Sequence, residues 1–511
     1  MSFSWRDLQS GSDIRGIALP GIKGEDVNLS SEVAYRLGKA FATWYSRHSH
    51  EENKDIIISV GNDSRLSGPT LKEFFCHGLT DMGINVLDFG LATTPSMYMS
   101  IVDENTRCHA SVMVTASHLP YNRNGFKFFT SKGGLEKADI NELLSIAETG
   151  DFPAVPQNGL LRQIHYIEDY AAFLVSLIRS KVNHPGHFNE PLQGLKIIVD
   201  AGNGAGGFFT SHVLQVLGAD TTGSQYLEPD GNFPNHAPNP EDYGAMKSVE
   251  EAVLRAKADL GIIFDTDVDR AAVVDRNGKG INRNRLIALL SAIILEEHHG
   301  STIVTDSLTS EGLTRFIENR SGHHHRFKRG YKNVINEALR LNAEGSPCWL
   351  AIETSGHAAM KENYFLDDGA YVVARILIKL ARLHDQRKPI EKLIEDLAEP
   401  VESKEFRIKV NDKNFQAYGK NVMNSLPACL EKISGWEKAK DNYEGIRFTC
   451  GPTYGNGWFL LRLSLHDPVL PLNIESDDPA GVHYIVDRLI QYLSDFDKLD
   501  ITSLQQYSQS L

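Results

Sequence analysis

Short apolar runs rich in β-branched residues recur along the chain, each followed by a longer amphipathic stretch. Residues 55–60 (DIIISV), 195–200 (LKIIVD), 260–265 (LGIIFD) and 302–306 (TIVTD) have the length and composition of buried strands. Residues 68–82, 167–179 and 285–298 read as helices. Such alternation predicts parallel sheets covered by helices. Beyond residues 396–404 the pattern changes. There 405–410 and 457–465 read as strands of alternating or mixed polarity, and 479–493 as a helix with Asp478 as its N-cap and Pro479 at its first position. A polar, Pro-containing stretch at 181–193 reads as a linker, and a second join falls near Gly300. The expected fold class is α/β: three similar mixed-sheet α/β domains (1–185, 186–299, 300–403) and a smaller α+β domain at 404–511.

Three bulk properties narrow the partners. Fifty-two basic against 66 acidic residues leave a net charge of −14, which excludes a general nucleic-acid partner. The five cysteines (76, 108, 348, 429, 450) contain no C-x-x-C pair, so neither a disulfide framework nor a zinc site is expected. The N-terminal stretch lacks a signal-peptide core, and no apolar run reaches membrane-spanning length. A reduced cytoplasmic setting is expected, with a plastid as the alternative if a transit peptide has been removed.

The sharpest chemical signal is FDTDVDRAAVV at 264–274. Asp265, Asp267 and Asp269 alternate after an apolar strand, and three carboxylates so close repel one another unless a cation neutralises them. Hard oxygen ligands suit Mg²⁺, while the Gly and distal Glu of an EF-hand are missing. The bland alternative is a solvated acidic loop. A second signal, TASHLPYNRNGFK at 115–127, reads as an exposed tight loop, because small residues, a Pro and an Asn-Gly pair mark a turn. It displays Ser117 beside His118, with Lys127 shortly after. Alone, such a serine is usually a turn former. Third, IETSGH at 352–357 offers Glu353 and Ser355, groups able to bond sugar hydroxyls, or simply a polar turn. Two N-terminal basic loops, GSDIRG at 11–16 and GNDSRLSG at 61–68, present Arg15 and Arg65 among small residues, a composition suited to phosphoryl oxygens.

In order along the chain, together with Thr94-Pro95, DAGNGAG at 200–206 and PDGNFPNHAPNPE at 229–241, these segments resemble the α-D-phosphohexomutase superfamily. The resemblance implies four domains around one central cleft and a phosphoryl group passed between Ser117 and a hexose through a hexose 1,6-bisphosphate, which also acts as activator. It implies Mg²⁺ on Asp265, Asp267, Asp269 and phospho-Ser117. Catalytic roles fall on Ser117, His118, Arg15, Arg270 and Lys127, the last as general base or acid. Sugar-phosphate contacts fall on Glu353, Ser355, His357, Lys332, Arg65, Arg462, Ser464 and His466. Sugar phosphates are the only partners implied, and the chain is expected as a monomer or weak dimer.

The sequence departs from the family pattern in three places. Leu119 and Thr266 replace a common Asn and Gly. In RLSLHDPVLPLNIE at 462–475, the phosphate-clamp pattern R-x-S-G-T-E-P is degenerate: Leu465, His466 and Asp467 replace Gly, Thr and Glu, and Pro471 replaces a second Arg. A weaker clamp opens two alternatives: a synthase releasing the bisphosphate, and a catalytically weak regulatory relative.

Overall fold

The computed structural model describes residues 4–49, 52–440, 442–464 and 467–510. The chain divides into two compact units, residues 1–286 with 355–392, and residues 287–354 with 393–511.

The first unit holds two sheets. In the larger, the strands run in the order Gln9–Ser10, Asp13–Ile17, Arg123–Thr130, Ala110–Val114, Ile57–Asn62, Asn85–Leu91, Leu161–Gln163. Ile57–Asn62 is parallel to both of its neighbours, whereas Arg123–Thr130 runs antiparallel to Asp13–Ile17 and Ala110–Val114. The buried faces are supplied by the β-branched runs, and the helices Ser31–Ser49, Gly68–Thr80 and Lys137–Thr149 contribute residues to the same core. In the second sheet, Ile197–Asp200 lies parallel to Leu260–Phe264, which pairs antiparallel with Ala271–Asp275. The turn between those two strands, residues 265–270, contains all three aspartates.

The second unit also holds two sheets. His323–Arg326, Thr302–Thr305 and Cys348–Ile352 lie side by side and parallel. The C-terminal sheet is six-stranded and antiparallel, ordered Trp436–Lys438, Ile446–Cys450, Trp458–Leu461, Val469–Ser476, Glu402–Val410, Leu499–Asp500. Gly481–Leu493 packs into its apolar core. Three α/β sheets and a distinct α+β C-terminal sheet are the fold class expected.

Three local expectations fail. The Asn-Gly pair is no turn: Asn124 and Gly125 lie inside Arg123–Thr130, where a Cβ on Gly125 would come within 2.0 Å of the Ile14 carbonyl. The glycine is there for close strand approach. GSDIRG is not a loop throughout, since Arg15 stands in the strand Asp13–Ile17, opposite Gly125. The last long helix starts at Gly481, not Pro479. Asp478 instead closes a turn before it, its side chain accepting from Ala480 N at 2.9 Å and its carbonyl from Gly481 N at 3.0 Å.

Candidate functional site

Ser117 follows the buried strand Ala110–Val114 and sits at φ +50°, the left-handed region that non-glycine residues seldom occupy. The loop is held there from behind. Asp63 accepts from Arg65 N at 2.9 Å and from Thr115 Oγ1 at 2.6 Å, and Thr115 Oγ1 accepts from Ser117 N at 2.8 Å. Arg65, 1% exposed, donates to the carbonyls of Ser117, Leu119, Pro120 and Arg123. This corrects the expectation that Arg65 meets substrate: its guanidinium faces loop carbonyls and is covered by the Phe233 ring, 5.3 Å from its centroid. The loop is also less open than expected, with Ser117 only 7% exposed. Arg15 flanks it, donating to Thr115 O and to Asp13 Oδ2 at 2.8 Å.

The aspartate turn converges on the same point. Ser117 Oγ donates to Asp265 Oδ2 at 2.9 Å and accepts from Arg270 Nη2 at 2.9 Å. Arg270 Nε donates to Asp265 Oδ2 at 3.0 Å, and Nη2 to His118 Nδ1 at 2.6 Å. Since arginine only donates, His118 carries its proton on Nε2 when neutral. Burial and the facing Arg270 push the His118 pKa down to about 3. Lys127, in the strand Arg123–Thr130, reaches Asp267 Oδ2 at 2.8 Å and also pairs with Asp269. Burial opposes its charge, but those two carboxylates prevail and hold its pKa well above the ordinary value. Val268, a β-branched residue at φ +64°, marks strain in the turn. Its carbonyl accepts from Gly369 N at 3.0 Å, an approach that a Cβ on Gly369, 2.7 Å from Arg270 C, would block.

The residues fit a divalent cation. One oxygen from each of Asp265, Asp267 and Asp269 can be chosen so that all lie within 4.8 Å of one another, among fully buried surroundings. Asp267 Oδ1 and Asp269 Oδ1 are buried without a hydrogen-bond partner, which is costly unless something binds them. Two cations, Lys127 and Arg270, face three carboxylates. Burial and repulsion from Asp269 raise the Asp265 pKa well above the usual range despite Arg270. Oxygen-only donors of this kind suit Mg²⁺.

His357 stands next to this cluster, its Nε2 3.7 Å from Asp269 Oδ1 and its Nδ1 2.9 Å from Ser355 Oγ. Burial lowers its pKa to about 3, even though Asp269 pulls the other way. The first unit therefore gathers Ser117, His118, Lys127, Arg15, Arg270, the aspartates, Ser355 and His357. Glu353, Lys332, Arg462 and Ser464 lie in the second unit. There Glu353 Oε1 accepts from Gly330 N at 2.6 Å, beside the helix Tyr331–Ala343 whose first turn carries Lys332. Arg462 Nη1 lies 3.6 Å from Glu444 Oε1, and its Nη2 donates to Asn473 Oδ1 at 3.3 Å. His466, with Leu465, lies outside the described residues.

Sequence reasoning gave no role to two contacts that complete the centre. Thr94 donates through Oγ1 to Asp267 Oδ2 at 2.6 Å and through its backbone to Asp267 O at 2.8 Å. Asn239 Oδ1 accepts from Arg270 Nη1 at 3.4 Å, with Glu241 Oε2 at 3.9 Å. Thr94-Pro95 and 229–241 were visible only as parts of an ordered pattern, because contacts across 173 and 31 residues leave no local signal.

Family models described as phosphoglucomutase/phosphomannomutase, alpha/beta/alpha domains I, II and III, match residues 7–154, 168–279 and 282–401. A phosphoglucomutase of Neisseria gonorrhoeae is 31% identical over 485 residues, 94% of this chain and 96% of its own. A phosphomannomutase/phosphoglucomutase of Pseudomonas syringae pv. tomato is 32% identical over 480 residues, 93% of this chain and 92% of its own. The crystal structure of a phosphoglucomutase/phosphomannomutase family protein from Burkholderia thailandensis matches with a TM-score of 0.77 at 27% identity, covering 97% of this chain and 98% of that one. No helix among the described residues is long and apolar enough to cross a membrane. A serine wedged between an aspartate and an arginine, on domains that match in order, leaves one assignment: the chain belongs to the phosphoglucomutase/phosphomannomutase family of enzymes, within the α-D-phosphohexomutase superfamily.

Proposed function

We propose that this chain interconverts hexose 1-phosphate and hexose 6-phosphate, glucose first and mannose second, through phospho-Ser117 and a hexose 1,6-bisphosphate, in a cytoplasmic setting. The observation that carries the reading is Ser117 Oγ held at 2.9 Å from both Asp265 Oδ2 and Arg270 Nη2. In the transfer, the Oγ–P bond breaks as an O–P bond forms to the sugar, and the sugar hydroxyl's proton ends on Ser117 Oγ. Arg270 Nη2 lies where charge grows on Oγ, and Asp265 accepts the regenerated hydroxyl. Lys127, paired with Asp267 and Asp269, is assigned as the general acid or base. Asp265, Asp267, Asp269 and phospho-Ser117 would hold Mg²⁺, which when bound neutralises the carboxylates and polarises the phosphoryl oxygens. Glu353, Ser355, His357 and Lys332 are assigned to the sugar phosphate, and Arg462, Ser464 and His466 to its second phosphate. The test is to charge the protein with labelled glucose 1,6-bisphosphate. A phosphate mass shift on Ser117 that disappears on adding glucose 1-phosphate supports the reading, and an unlabelled Ser117 overturns it.

A second reading, release of the bisphosphate as product, is favoured by one observation. Arg447, which could have replaced the missing clamp arginine, is buried, donates to Ser307 O at 2.8 Å and Thr309 O at 3.0 Å, and stacks on Trp458. It leaves Arg462 without that substitute. Following label into free bisphosphate and glucose 6-phosphate separates the two: bisphosphate release at each turnover indicates a synthase, and near-complete retention indicates a mutase.

A further inference from the structure

Two segments that helped to mark the family, 200–206 and 229–241, have no part in the mechanism above, yet they are laced together beneath it. Asp200 ends the buried strand Ile197–Asp200 and is fully buried. Its carboxylate accepts from Gly202 N at 2.9 Å and Gln225 Nε2 at 2.8 Å, and His236 Nε2 lies 3.0 Å from both of its oxygens. The other ring nitrogen of His236, Nδ1, lies 2.9 Å from Ala237 O. A carboxylate and a carbonyl only accept, so both contacts are satisfied together only when the ring carries two protons. Burial opposes that charge, but Asp200 and the Ala237 carbonyl outweigh it and raise the His236 pKa. The result is a buried histidine–carboxylate pair at the root of the loop.

From that root the loop reaches the reacting serine in few steps. Gly202, at φ +52°, packs closely on the loop: a Cβ there would lie 3.1 Å from Pro238 and 3.3 Å from His236 Cε1, tighter than ordinary contact. Asn239 N donates to Ala237 O at 2.8 Å, and Glu241 N to Asn239 Oδ1 at 3.0 Å, which fixes the Asn239 amide. The same Oδ1 accepts from Arg270 Nη1 at 3.4 Å. Arg270 then has its donors divided three ways: Nη1 to the loop, Nε to Asp265, and Nη2 to Ser117 and His118. With Nε held on Asp265, a contact at Nη1 sets the remaining rotation of the planar guanidinium and so the direction of Nη2. On its other side, segment 200–206 abuts the aspartate turn directly: Ala205 N donates to Thr266 O at 2.8 Å.

We infer that His236, paired with Asp200, is a positioning residue for phosphoryl transfer: it holds Asn239 against Arg270 so that Nη2 stays aimed at Ser117 Oγ. The inference rests on Ser117 being the phosphoryl carrier. It assigns His236 no contact with sugar or phosphate. Its loss should therefore lower the transfer rate and leave the affinity for sugar phosphate nearly unchanged.

The experiment is a double-mutant cycle on the full chain. Single-turnover transfer from phospho-Ser117 to glucose 1-phosphate is measured for wild type, His236→Ala, Asn239→Ala and the double variant, with half-saturation and thermal unfolding recorded for each. Each single variant should slow transfer about ten- to a hundredfold, with half-saturation changed by less than about twofold. If His236 acts through Asn239, the double variant should be no more than about twofold slower than the slower single variant. Asn239→Asp, which keeps an oxygen toward Nη1, should recover most of what Asn239→Ala loses. Should His236→Ala fail to fold, Asp200→Asn takes its place in the same cycle. Multiplicative losses in the double variant, or wild-type transfer in Asn239→Ala, overturn the inference while the mutase reading stands. A wild-type phosphoprotein that transfers nothing overturns the mutase reading, and the inference with it.

Discussion

The serine–aspartate centre and the 462–468 segment both carry charged groups expected to handle phosphate, yet they are built in opposite ways. Around the serine, polar groups are fixed by others that are fixed themselves: Asp63 holds Thr115, Thr115 holds Ser117 N, Arg65 gathers four carbonyls, and Thr94 holds Asp267. Flanking 462–468, the strand Trp458–Leu461 pairs antiparallel with Val469–Ser476, and Ser464 N donates to Val469 O at 3.1 Å. Arg462 has as near neighbours a carboxylate at 3.6 Å and a long amide contact at 3.3 Å. Loss of a member costs most where many short contacts interlock, and less where the contacts are few and long, as at Arg462. On the proposed reading, the groups assigned to phosphoryl transfer are therefore held by more contacts than Arg462, assigned to the second phosphate.

The comparison breaks most sharply at Ser117. Ser117→Ala removes the proposed phosphoryl carrier and should lower net turnover more than about 10⁴-fold, as loss of a covalent nucleophile does. Residual turnover near wild type, measured in a coupled mutase assay, would mean that the interlocked centre is not where phosphate is carried.

Next comes Arg65. Arg65→Ala leaves Asp63 as a buried charge without its partner and several loop carbonyls without donors. Breaking a buried pair in this way costs about 3–5 kcal/mol of stability. Denaturant unfolding should show the loss, and glucose 1-phosphate affinity should fall only in proportion to the folded fraction. A stable Arg65→Ala that loses substrate affinity would restore Arg65 as a phosphate ligand.

Asp267→Asn tests the cation. One carboxylate of three becomes a neutral amide, whose single oxygen can still accept from Thr94 Oγ1 and Lys127 Nζ. The Mg²⁺ concentration for half-maximal rate should rise about ten- to a hundredfold. An unchanged Mg²⁺ dependence would make the triplet a charge network closed by Lys127 and Arg270 alone.

Much of this was legible in the chain. The apolar runs located the strands Leu260–Phe264 and Thr302–Thr305 to within a residue, because a buried parallel strand must be apolar on both faces. The aspartate triplet was legible because alternating acids after such a strand have few structural uses. Arg65 was misread because composition shows a basic residue among small ones but not which way it turns. Burial and four carbonyls decide that, and they come from residues 52 or more positions away. The Asn-Gly pair was misread for the same reason: the Ile14 carbonyl that demands a glycine at 125 belongs to a strand over a hundred residues earlier.

The smallest effect should come from Arg462, where the two regions differ most. Its Nη1 lies 3.6 Å from Glu444 Oε1, and burial, opposed by Glu444, lowers its pKa from the ordinary arginine value. The Glu444 carboxylate is itself anchored, accepting from Ser307 Oγ at 2.6 Å and Arg329 N at 3.0 Å. A phosphate arriving at Arg462 must share the guanidinium with that carboxylate, so much of the favourable interaction already exists before binding. Only the difference between the two states contributes to affinity. A charged hydrogen bond to phosphate gives roughly 1.5–3 kcal/mol, and competition from Glu444 should leave about 1 kcal/mol of it. Arg462→Ala should accordingly raise KM for glucose 1-phosphate only about three- to tenfold, with kcat for serine dephosphorylation unchanged. Glu444→Gln removes the competing charge and should lower KM by a similar factor. Steady-state kinetics on both variants decide the matter. A hundredfold rise in KM for Arg462→Ala, or no change for Glu444→Gln, would show that the hairpin grips phosphate as firmly as the serine loop holds its own residues.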